Sequence, residues 1–329
     1  MAPTLSSFRA NFFPPKPNFT DRDVSDLKGK VFLVSGANSG IGKELARILY
    51  AKNAKVYITA RSEDKASKTI RDIKDSCPES SGELASLLLD LSDLSTIKAS
   101  ASRFLEAEDK LHVLFNNAGV MASSSNTEKT AQGYELQLGV NALGTFLFTK
   151  LLTPKLVATA KTEPAGSVRV VWLSSFSTEL FAEKDNVFQF DNLDYHVDKS
   201  GFYKYGISKA GVWAYGVEFA KRYKASGVIS VPLNPGNLRS ELFRSQGLLM
   251  QVSNAFMLYP VINGAYTELY AGLSPAITMD HSGEWVIPFG RHYEIRKDLM
   301  QATKTVAEGG NESVQKFWEW SEEQVAPFV

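Results

Sequence analysis

Short runs of β-branched and aliphatic residues recur along the chain, and longer segments with helical spacing of apolar residues separate them. This alternation is typical of a parallel sheet whose strands are connected by helices. It predicts strands near residues 31–35, 55–59, 84–89, 113–115, 168–174, 229–232 and 285–287. It predicts helices near residues 41–52, 63–75, 93–107, 133–161, 203–224 and 260–273. No linker interrupts the pattern, so we expect one doubly wound α/β domain over residues 28–290 with helices on both faces of the sheet.

Three segments depart from this alternation. Residues 1–27 contain Phe12-Phe13-Pro14-Pro15-Lys16-Pro17 and predict an arm that is extended over the surface or partly disordered. Residues 176–202 mix polar, charged and aromatic residues without a clear period and predict an irregular insertion. Residues 237–263 follow the sixth predicted strand, and we expect them to form a substrate lid. Its apolar residues over the pocket would be Leu238, Leu242, Phe243, Leu248, Met250 and Phe256.

The last segment, residues 291–329, predicts a C-terminal extension of two helices separated by Gly309-Gly310. It carries three large aromatic residues, Phe317, Trp318 and Trp320. Large aromatic side chains mostly serve burial, so we expect these three in the core or an interface. A cap over the substrate is the alternative.

Composition narrows the function. The 329 residues include 36 basic and 36 acidic ones, so the zero net charge gives no field that would attract nucleic acid or an anionic membrane. The single cysteine, Cys77, excludes an internal disulfide and favours a reducing, cytoplasmic location. The four histidines lie far apart in the sequence, which predicts no metal site. Polar residues and prolines interrupt the apolar stretches at 1–20 and 247–265, so we expect no signal peptide and no membrane segment.

A glycine-rich turn follows the first predicted strand. Gly36, Gly40 and Gly42 have the spacing Gly-x-x-x-Gly-x-Gly, which lets the backbone turn tightly and approach a pyrophosphate. The N-terminus of the helix that follows supplies unpaired N–H groups and a partial positive charge, both of which favour phosphate. The motif predicts a dinucleotide site; a turn that binds nothing is the alternative.

The end of the second predicted strand bears on cofactor choice. It reads Thr59-Ala60-Arg61-Ser62, and no carboxylate appears before Glu63. An acidic residue here would bind the ribose hydroxyls and repel a 2′-phosphate, whereas Arg61 can stack on adenine and pair with that phosphate. This favours NADP(H) over NAD(H), with a solvated Arg61 as the alternative.

A candidate proton donor lies farther along the chain. Tyr205 and Lys209 are four positions apart in a predicted helix and share one face. A nearby ammonium and the charge of a nicotinamide would lower the pKa of the phenol from its ordinary value of about 10. Tyr205 could then protonate a carbonyl oxygen. A purely structural pair on the helix surface is the alternative.

A pair of serines ends the apolar strand predicted at 168–174, at the sheet edge where a ligand is expected. One hydroxyl of Ser174-Ser175 could donate to a substrate oxygen and polarise its carbonyl group, and Ser177 is a further candidate.

These motifs, in this order, resemble those of the short-chain dehydrogenase/reductase family. Asn116-Asn117-Ala118-Gly119, Val140-Asn141-Ala142-Leu143-Gly144 and Pro235-Gly236-Asn237-Leu238-Arg239-Ser240 are similar to further family motifs, although Ser240 replaces the usual threonine. The resemblance covers nearly all of residues 28–288. The long interval from Ser175 to Tyr205 resembles the branch of retinol dehydrogenase, protochlorophyllide reductase and WW-domain oxidoreductase. The tail resembles members from filamentous fungi.

The resemblance implies a single Rossmann-type parallel sheet of about seven strands and a set of catalytic residues. Ser175 would donate to the substrate oxygen, and Tyr205 would protonate it. Lys209 would bind the nicotinamide ribose, and Asn141 would hold a water that connects Lys209 to solvent. A structural role of Asn141 between backbones is the alternative. The implied cofactor contacts are Gly36, Asn38, Ser39, Gly40, Ile41, Gly42, Arg61, Asp90, Leu91, Asn117, Ala118, Gly119, Tyr205, Lys209, Pro235, Gly236, Leu238 and Ser240.

We therefore expect an NADPH-dependent carbonyl reductase that acts on a hydrophobic ketone, aldehyde or quinonoid, with a place in fungal secondary metabolism. The apolar lid and the aromatic insertion indicate a hydrophobic small-molecule substrate. An enzyme of the same fold that catalyses dehydration or isomerisation is one alternative, and a non-catalytic NADP(H)-sensing protein is another. The resemblance also implies a homodimer through the helices after the fourth and fifth strands, with a monomer as the alternative.

Overall fold

One sheet of eight strands organises the described part of the chain, which comprises residues 3–122, 128–239 and 258–329 of a computed structural model. The strand order is β3-β2-β1-β4-β5-β6-β7-β8. The strands are β1 (Val31–Val34), β2 (Lys55–Ala60), β3 (Glu83–Leu88), β4 (Val113–Asn116), β5 (Val168–Leu173), β6 (Val228–Leu233), β7 (Val286–Ile287) and β8 (Arg291–His292). The first seven run parallel and confirm the predicted strands, whereas β8 is antiparallel to β7 and was not predicted.

Helices cover both faces of the sheet. They are α1 (Leu5–Phe12), α2 (Gly40–Ala51), α3 (Glu63–Ser76), α4 (Leu94–Ala107), α5 (Thr145–Ala160), α6 (Ser177–Phe181), α7 (Gly201–Tyr223), α8 (Val261–Leu273), α9 (Lys297–Ala302) and α10 (Ser313–Val325). Adjacent strand residues point to opposite faces, so Phe32 and Val34 pack in one core with α2, α3 and α8. Leu33 packs in the other core with α4, α5, α7 and α10. No helix among the described residues is long and apolar enough to cross a membrane.

The N-terminal segment differs from its prediction. An extended or disordered arm was expected, but residues 5–12 form α1, which Thr4 caps by accepting the Ser7 N–H at 3.1 Å. The prolines that suggested an extended arm begin only at Pro14, after the helix has ended. A proline beyond a helix terminus does not disturb the helix, so the prediction was wrong.

The helix predicted at 133–161 also differs in its first part. Residues Leu138–Gly144 form a π-helix, and α5 continues from there. A π-helical segment admits one extra residue per turn and is often found at functional sites. This segment carries Asn141.

The C-terminal extension contains two α-helices, as predicted. Phe317 of α10 stacks on Tyr215 of α7 with ring centroids 5.3 Å apart, and Trp318 meets Phe146 of α5 edge-on at 4.8 Å. Trp320 stacks against Phe317 at 5.5 Å. The prediction that these aromatic residues serve core packing is confirmed.

The strand order positions the functional site. Parallel strands β1 and β4 are neighbours, and their connections leave in opposite directions along the sheet. A crevice therefore opens at their carboxyl ends, where ligands bind in open α/β sheets. The glycine turn after β1 and the Asn116-Asn117-Ala118-Gly119 segment at the end of β4 lie at this point.

Candidate active site

A cavity of about 1000 Å³ lies at the carboxyl end of the sheet. It brings together most of the predicted cofactor and catalytic residues, although they come from seven separate segments of the chain. The predicted residues that line it are Gly36, Asn38, Ser39, Gly40, Ile41, Arg61, Asp90, Leu91, Asn117, Ala118, Gly119, Ser175, Tyr205, Lys209, Pro235, Gly236 and Leu238. Gly42 and Asn141 lie behind this lining. Ser240, Leu242, Phe243, Leu248, Met250 and Phe256 lie outside the described residues.

The glycine turn presents a helix N-terminus to the cavity. Gly36 and Gly40 have φ angles of +65° and +58°, which residues with a side chain rarely adopt. A Cβ at Gly40 would meet no atom within 4 Å, so its absence leaves open space beside the first N–H groups of α2. The Ser39 side chain makes no capping hydrogen bond to these groups. The turn therefore fits a pyrophosphate, whose oxygens can accept hydrogen bonds from the free N–H groups.

Close packing holds this turn against the end of β4. A Cβ at Gly36 would lie 2.8 Å from Ala118 Cα, and one at Gly42 would lie 2.5 Å from Asn117 Nδ2. Asn117 Nδ2 in turn donates to the Ser35 carbonyl at 2.7 Å. Gly42 thus acts through packing rather than as part of the lining.

The part of the cavity after β2, where the adenine end of the cofactor is predicted, carries two exposed cations. Arg61 lines it as predicted, and Lys65, one helical turn later in α3, lines it as well. Sequence reasoning missed Lys65, although its spacing of four from Arg61 could have revealed it. Asp90 also lines the cavity, and its carboxylate accepts the Ser92 N–H at 2.9 Å and the Ser92 hydroxyl at 2.6 Å, which fixes the orientation of its side chain.

Tyr205 projects from α7 into the cavity, where its hydroxyl lies within hydrogen-bonding reach of the Ser175 side chain. Burial raises the pKa of Tyr205 to about 12, and the Ser175 hydrogen bond only partly offsets this effect. Sequence reasoning expected a lowered pKa from a nearby ammonium and the cofactor charge. In the chain by itself burial outweighs the effect of Ser175, so the pKa is raised instead, and the lowering by the cofactor charge stays a prediction. Tyr205 is therefore a neutral phenol that can donate a proton at neutral pH.

Lys209 is buried behind Tyr205, and its Nζ lies 5.9 Å from the centre of the tyrosine ring. Nζ donates to the Leu173 carbonyl at 2.8 Å, and burial lowers the pKa of Lys209 to about 8. A Cβ at Gly119 would lie 3.0 Å from this Nζ and 3.3 Å from Asn141 Oδ1. Gly119 therefore makes room for the ammonium group between the Asn141 segment and α7.

The serines after β5 have separate partners. Ser174 Oγ donates to the Lys209 carbonyl at 2.7 Å and lies 2.9 Å from Thr178 Oγ1, so it ties α6 to α7. Ser175 instead meets Tyr205, and its Oγ accepts the Ser177 N–H at 3.1 Å. This geometry favours Ser175 as the substrate-facing hydroxyl.

Asn141 is fully buried in the π-helix. Its Oδ1 accepts the Val120 N–H at 2.7 Å, and its Nδ2 donates to the Val120 carbonyl and to Ser208 Oγ, both at 2.9 Å. These contacts join the segment after β4 to α7. They agree with the alternative that Asn141 has a structural role. The role of Asn141 in holding a water stays a prediction.

Glu268 of α8 is a buried residue that sequence reasoning missed. It is 0% exposed, and neither carboxyl oxygen has a hydrogen-bond partner among the described residues. Burial raises the pKa of Glu268 to about 8, and the charge of Lys209 acts against this rise. Nothing in the residue spacing signals it, because its environment is set by how α8 packs on the sheet.

A histidine cluster lies on another part of the surface. His281, Glu284 and His292 have ligand atoms within 4.8 Å of one another, although the histidines are well separated in the sequence. His281 Nδ1 accepts a hydrogen bond from the Thr278 N–H at 3.1 Å, so the proton of the neutral ring lies on Nε2. A metal bound to Nε2 would move that proton to Nδ1, where it would face the Thr278 N–H. His292 Nδ1 lies 2.7 Å from Glu284 Oε2. The arrangement favours a polar cluster over a metal centre.

Comparison with known proteins identifies relatives of the chain. A family model described as short chain dehydrogenase matches residues 30–180. A short-chain dehydrogenase/reductase of Phomopsis amygdali is 51% identical, covering 99% of this chain and 98% of its own. The short-chain dehydrogenase/reductase bet4 of Neocamarosporium betae is 48% identical, covering 99% of this chain and 94% of its own.

Among solved structures, the NADPH-bound carbonyl reductase from chicken fatty liver is similar in fold. Its TM-score is 0.62 at 19% identity, covering 83% of this chain and 97% of its own. At that identity the likeness supports the fold alone. Together with the sequence relatives and the cavity, it agrees with a fold that binds a nicotinamide cofactor. The chain belongs to the short-chain dehydrogenase/reductase family.

Proposed function

We propose that the protein is an NADPH-dependent carbonyl reductase. The observation that carries this proposal is that the Ser175 and Tyr205 hydroxyls lie together in the cavity wall, within hydrogen-bonding reach of each other, with Lys209 buried behind them. Two hydroxyl groups that meet in this way offer a carbonyl oxygen two donors. Because the pKa of Tyr205 is raised to about 12, the phenol carries the proton that reduction consumes.

The residues of the chain would divide the work as follows. The reduced nicotinamide, when bound, supplies a hydride to the carbonyl carbon. Ser175 donates to the carbonyl oxygen and orients it, while Tyr205 gives its proton to the oxygen as negative charge develops. The Lys209 ammonium then stabilises the phenolate left on Tyr205. The free N–H groups at the start of α2 fit the pyrophosphate.

Charge at the adenine end supports NADP(H). Arg61 and Lys65 both line this end, and cations there can pair with a 2′-phosphate. The chicken carbonyl reductase, which is similar in fold, has NADPH bound. The fungal origin of two relatives supports a place in fungal secondary metabolism, and the single cysteine, Cys77, supports a reducing, cytoplasmic location.

Apolar side chains around the catalytic end support a hydrophobic ketone, aldehyde or quinonoid. The cavity lining includes the apolar side chains of Val120, Met121, Leu180, Phe181 and Phe202. Burying the apolar surface of a substrate against these side chains is favourable, and they offer few hydrogen-bond partners to polar groups of a substrate. A small polar substrate would leave this surface uncovered.

Replacing Tyr205 with phenylalanine tests the proposal. The variant should lose at least ~100-fold in kcat for NADPH-dependent carbonyl reduction, because the proton donor is gone, while its Kd for NADPH should stay near wild type. Tyr203→Phe is the matched control, because the Tyr203 hydroxyl donates to Glu183 at 2.6 Å and does not line the cavity. Carbonyl reduction that survives Tyr205→Phe would overturn the mechanism.

The substrate can be sought with deuterated NADPH. Protein and labelled cofactor are incubated with a fungal metabolite extract, and products are searched by mass spectrometry for a gain of deuterium. A labelled alcohol supports reduction and identifies the substrate class. A product formed without label, at unchanged NADPH, would instead support dehydration or isomerisation.

A further inference from the structure

Helix α1 bridges the two segments that flank the catalytic end. Ser7 Oγ donates to Glu179 Oε2 at 2.9 Å, and Asn234 Nδ2 donates to Asn11 Oδ1 at 2.9 Å. Glu179 lies in α6, just beyond Ser175, and Asn234 directly precedes Pro235-Gly236. Both hydrogen bonds are buried, so breaking either would leave polar groups without water. The helix is therefore fixed to both sides of the site.

Further contacts fix the C-terminal turn of α1. Arg291 Nη2 donates to the Ala10 carbonyl at 2.6 Å, and the Tyr259 hydroxyl donates to the Phe12 carbonyl at 3.3 Å. The last carbonyls of a helix lack partners within it, so these donors satisfy groups that would otherwise need water. The position of Phe12 is thus defined by the body of the protein.

Phe12 meets the catalytic segment through aromatic contacts. Its ring stacks on Phe8 at 4.1 Å and lies edge-on to Phe176 at 5.4 Å. Phe176 is the residue after Ser175, and both Phe12 and Phe176 line the cavity. Phe8, which is 40% exposed, supports Phe12 from the outer side. The chain thus places a rigid aromatic wall directly beside the substrate-facing hydroxyl.

We propose that Phe12 and Phe176 form a substrate-recognition wall that selects a flat aromatic or conjugated group attached to the reacting carbonyl. This proposal rests on the proposed carbonyl reduction and names its substrate class. A flat ring gains from stacked and edge-to-face contacts with a fixed aromatic pair, whereas a flexible alkyl chain gains only burial and loses rotational freedom. Loss of the Phe12 ring should therefore weaken binding of an aryl ketone by about tenfold and that of an alkyl ketone far less.

Binding to the NADP⁺ complex tests this selection without turnover, because a ketone cannot react with the oxidised cofactor. Methyl naphthyl ketone and methyl octyl ketone are titrated by calorimetry into wild type and Phe12→Ala. Phe13→Ala is the matched control, because Phe13 is the next residue and its side chain is 63% exposed. We expect Phe12→Ala to bind the naphthyl ketone about tenfold more weakly, the octyl ketone within about threefold of wild type, and Phe13→Ala to match wild type.

Phe12→Leu separates recognition of the ring from collapse of α1, since leucine keeps an apolar side chain on the same contacts. It should retain the wild-type Tm and still lose most of the preference for the naphthyl ketone. Equal losses for both ketones, or equal effects of Phe12→Ala and Phe13→Ala, would overturn the proposal. If the naphthyl ketone binds as expected but NADPH reduces neither ketone, the proposed reductase function fails and the recognition wall stands.

Discussion

Replacing Glu268 with glutamine should change how the free energy of unfolding depends on pH. Glu268 is fully buried, and burial raises its pKa from 4.5 to about 8. In the unfolded chain the carboxyl loses its proton near its ordinary pKa, whereas in the folded chain it keeps the proton up to about pH 8. The folded state binds more protons in this window, so stability falls as pH rises from the ordinary pKa to the raised one.

The size of the effect follows from the two pKa values, 4.5 and about 8. Each pH unit inside the window costs about 1.4 kcal/mol of unfolding free energy. Between about pH 5.5 and 7.5 the stability of Glu268→Gln relative to wild type should therefore increase by about 2–3 kcal/mol. Glutamine has nearly the same shape and cannot ionise. Groups that titrate alike in both proteins cancel in the difference.

The assay is urea denaturation of both proteins at several pH values, followed by tryptophan fluorescence. Glu106→Gln is the control, because Glu106 lies on α4 and is exposed to water, so its pH dependence should match wild type. Parallel pH dependences of wild type and Glu268→Gln would refute the reasoning. They would mean that the carboxyl finds partners or water that stabilise its charged form.

Three further substitutions test the packing and the cofactor end. Gly36→Ala places a Cβ 2.8 Å from Ala118 Cα at a φ of +65°. The variant should therefore lose ~1–3 kcal/mol of unfolding free energy and bind NADPH more weakly. An unchanged Tm would contradict this expectation. The buried Arg169 side chain donates to four backbone carbonyls at 2.9–3.1 Å, so Arg169→Met should cost ~3 kcal/mol in urea denaturation. A cost below ~1 kcal/mol would contradict this expectation. Arg61→Asp should shift the ratio of kcat/KM from NADPH towards NADH by at least ~10-fold, and an unchanged ratio would show that Arg61 does not read the 2′-phosphate.

The sheet could be predicted because its strands are apolar on both faces and its helices are amphipathic. The two-residue strand β8 could not, since so short a pairing leaves no periodic pattern. Helix α1 had a usable signal, namely Leu5, Phe8 and Phe12 at positions i, i+3 and i+7, but the prolines that follow obscured it.

The site could be predicted wherever backbone geometry demands a particular residue, as at Gly36, or where the family resemblance supplied a role, as for Tyr205. Phe12, Glu268 and the His281 cluster could not be predicted, because long-range packing alone creates the environment of each.

The homodimer stays a prediction. Helix α10 covers parts of α5 and α7 through Trp318 and Phe317, so those two helices offer a partner less surface than their length suggests.

The π-helix at Leu138–Gly144 has a consequence for how the chain can vary. Removing one residue from it would let the segment continue as an ordinary α-helix, with its backbone hydrogen bonds intact. The residues before the deletion would then rotate by about 100° relative to those after it, so Asn141 and α5 could not both keep their present contacts. A chain shortened here would therefore lose the link that Asn141 makes between Val120 and Ser208. The extra residue thus sets the rotation of Asn141 relative to α5, and because the whole segment is buried a deletion here should disturb core packing and the site together.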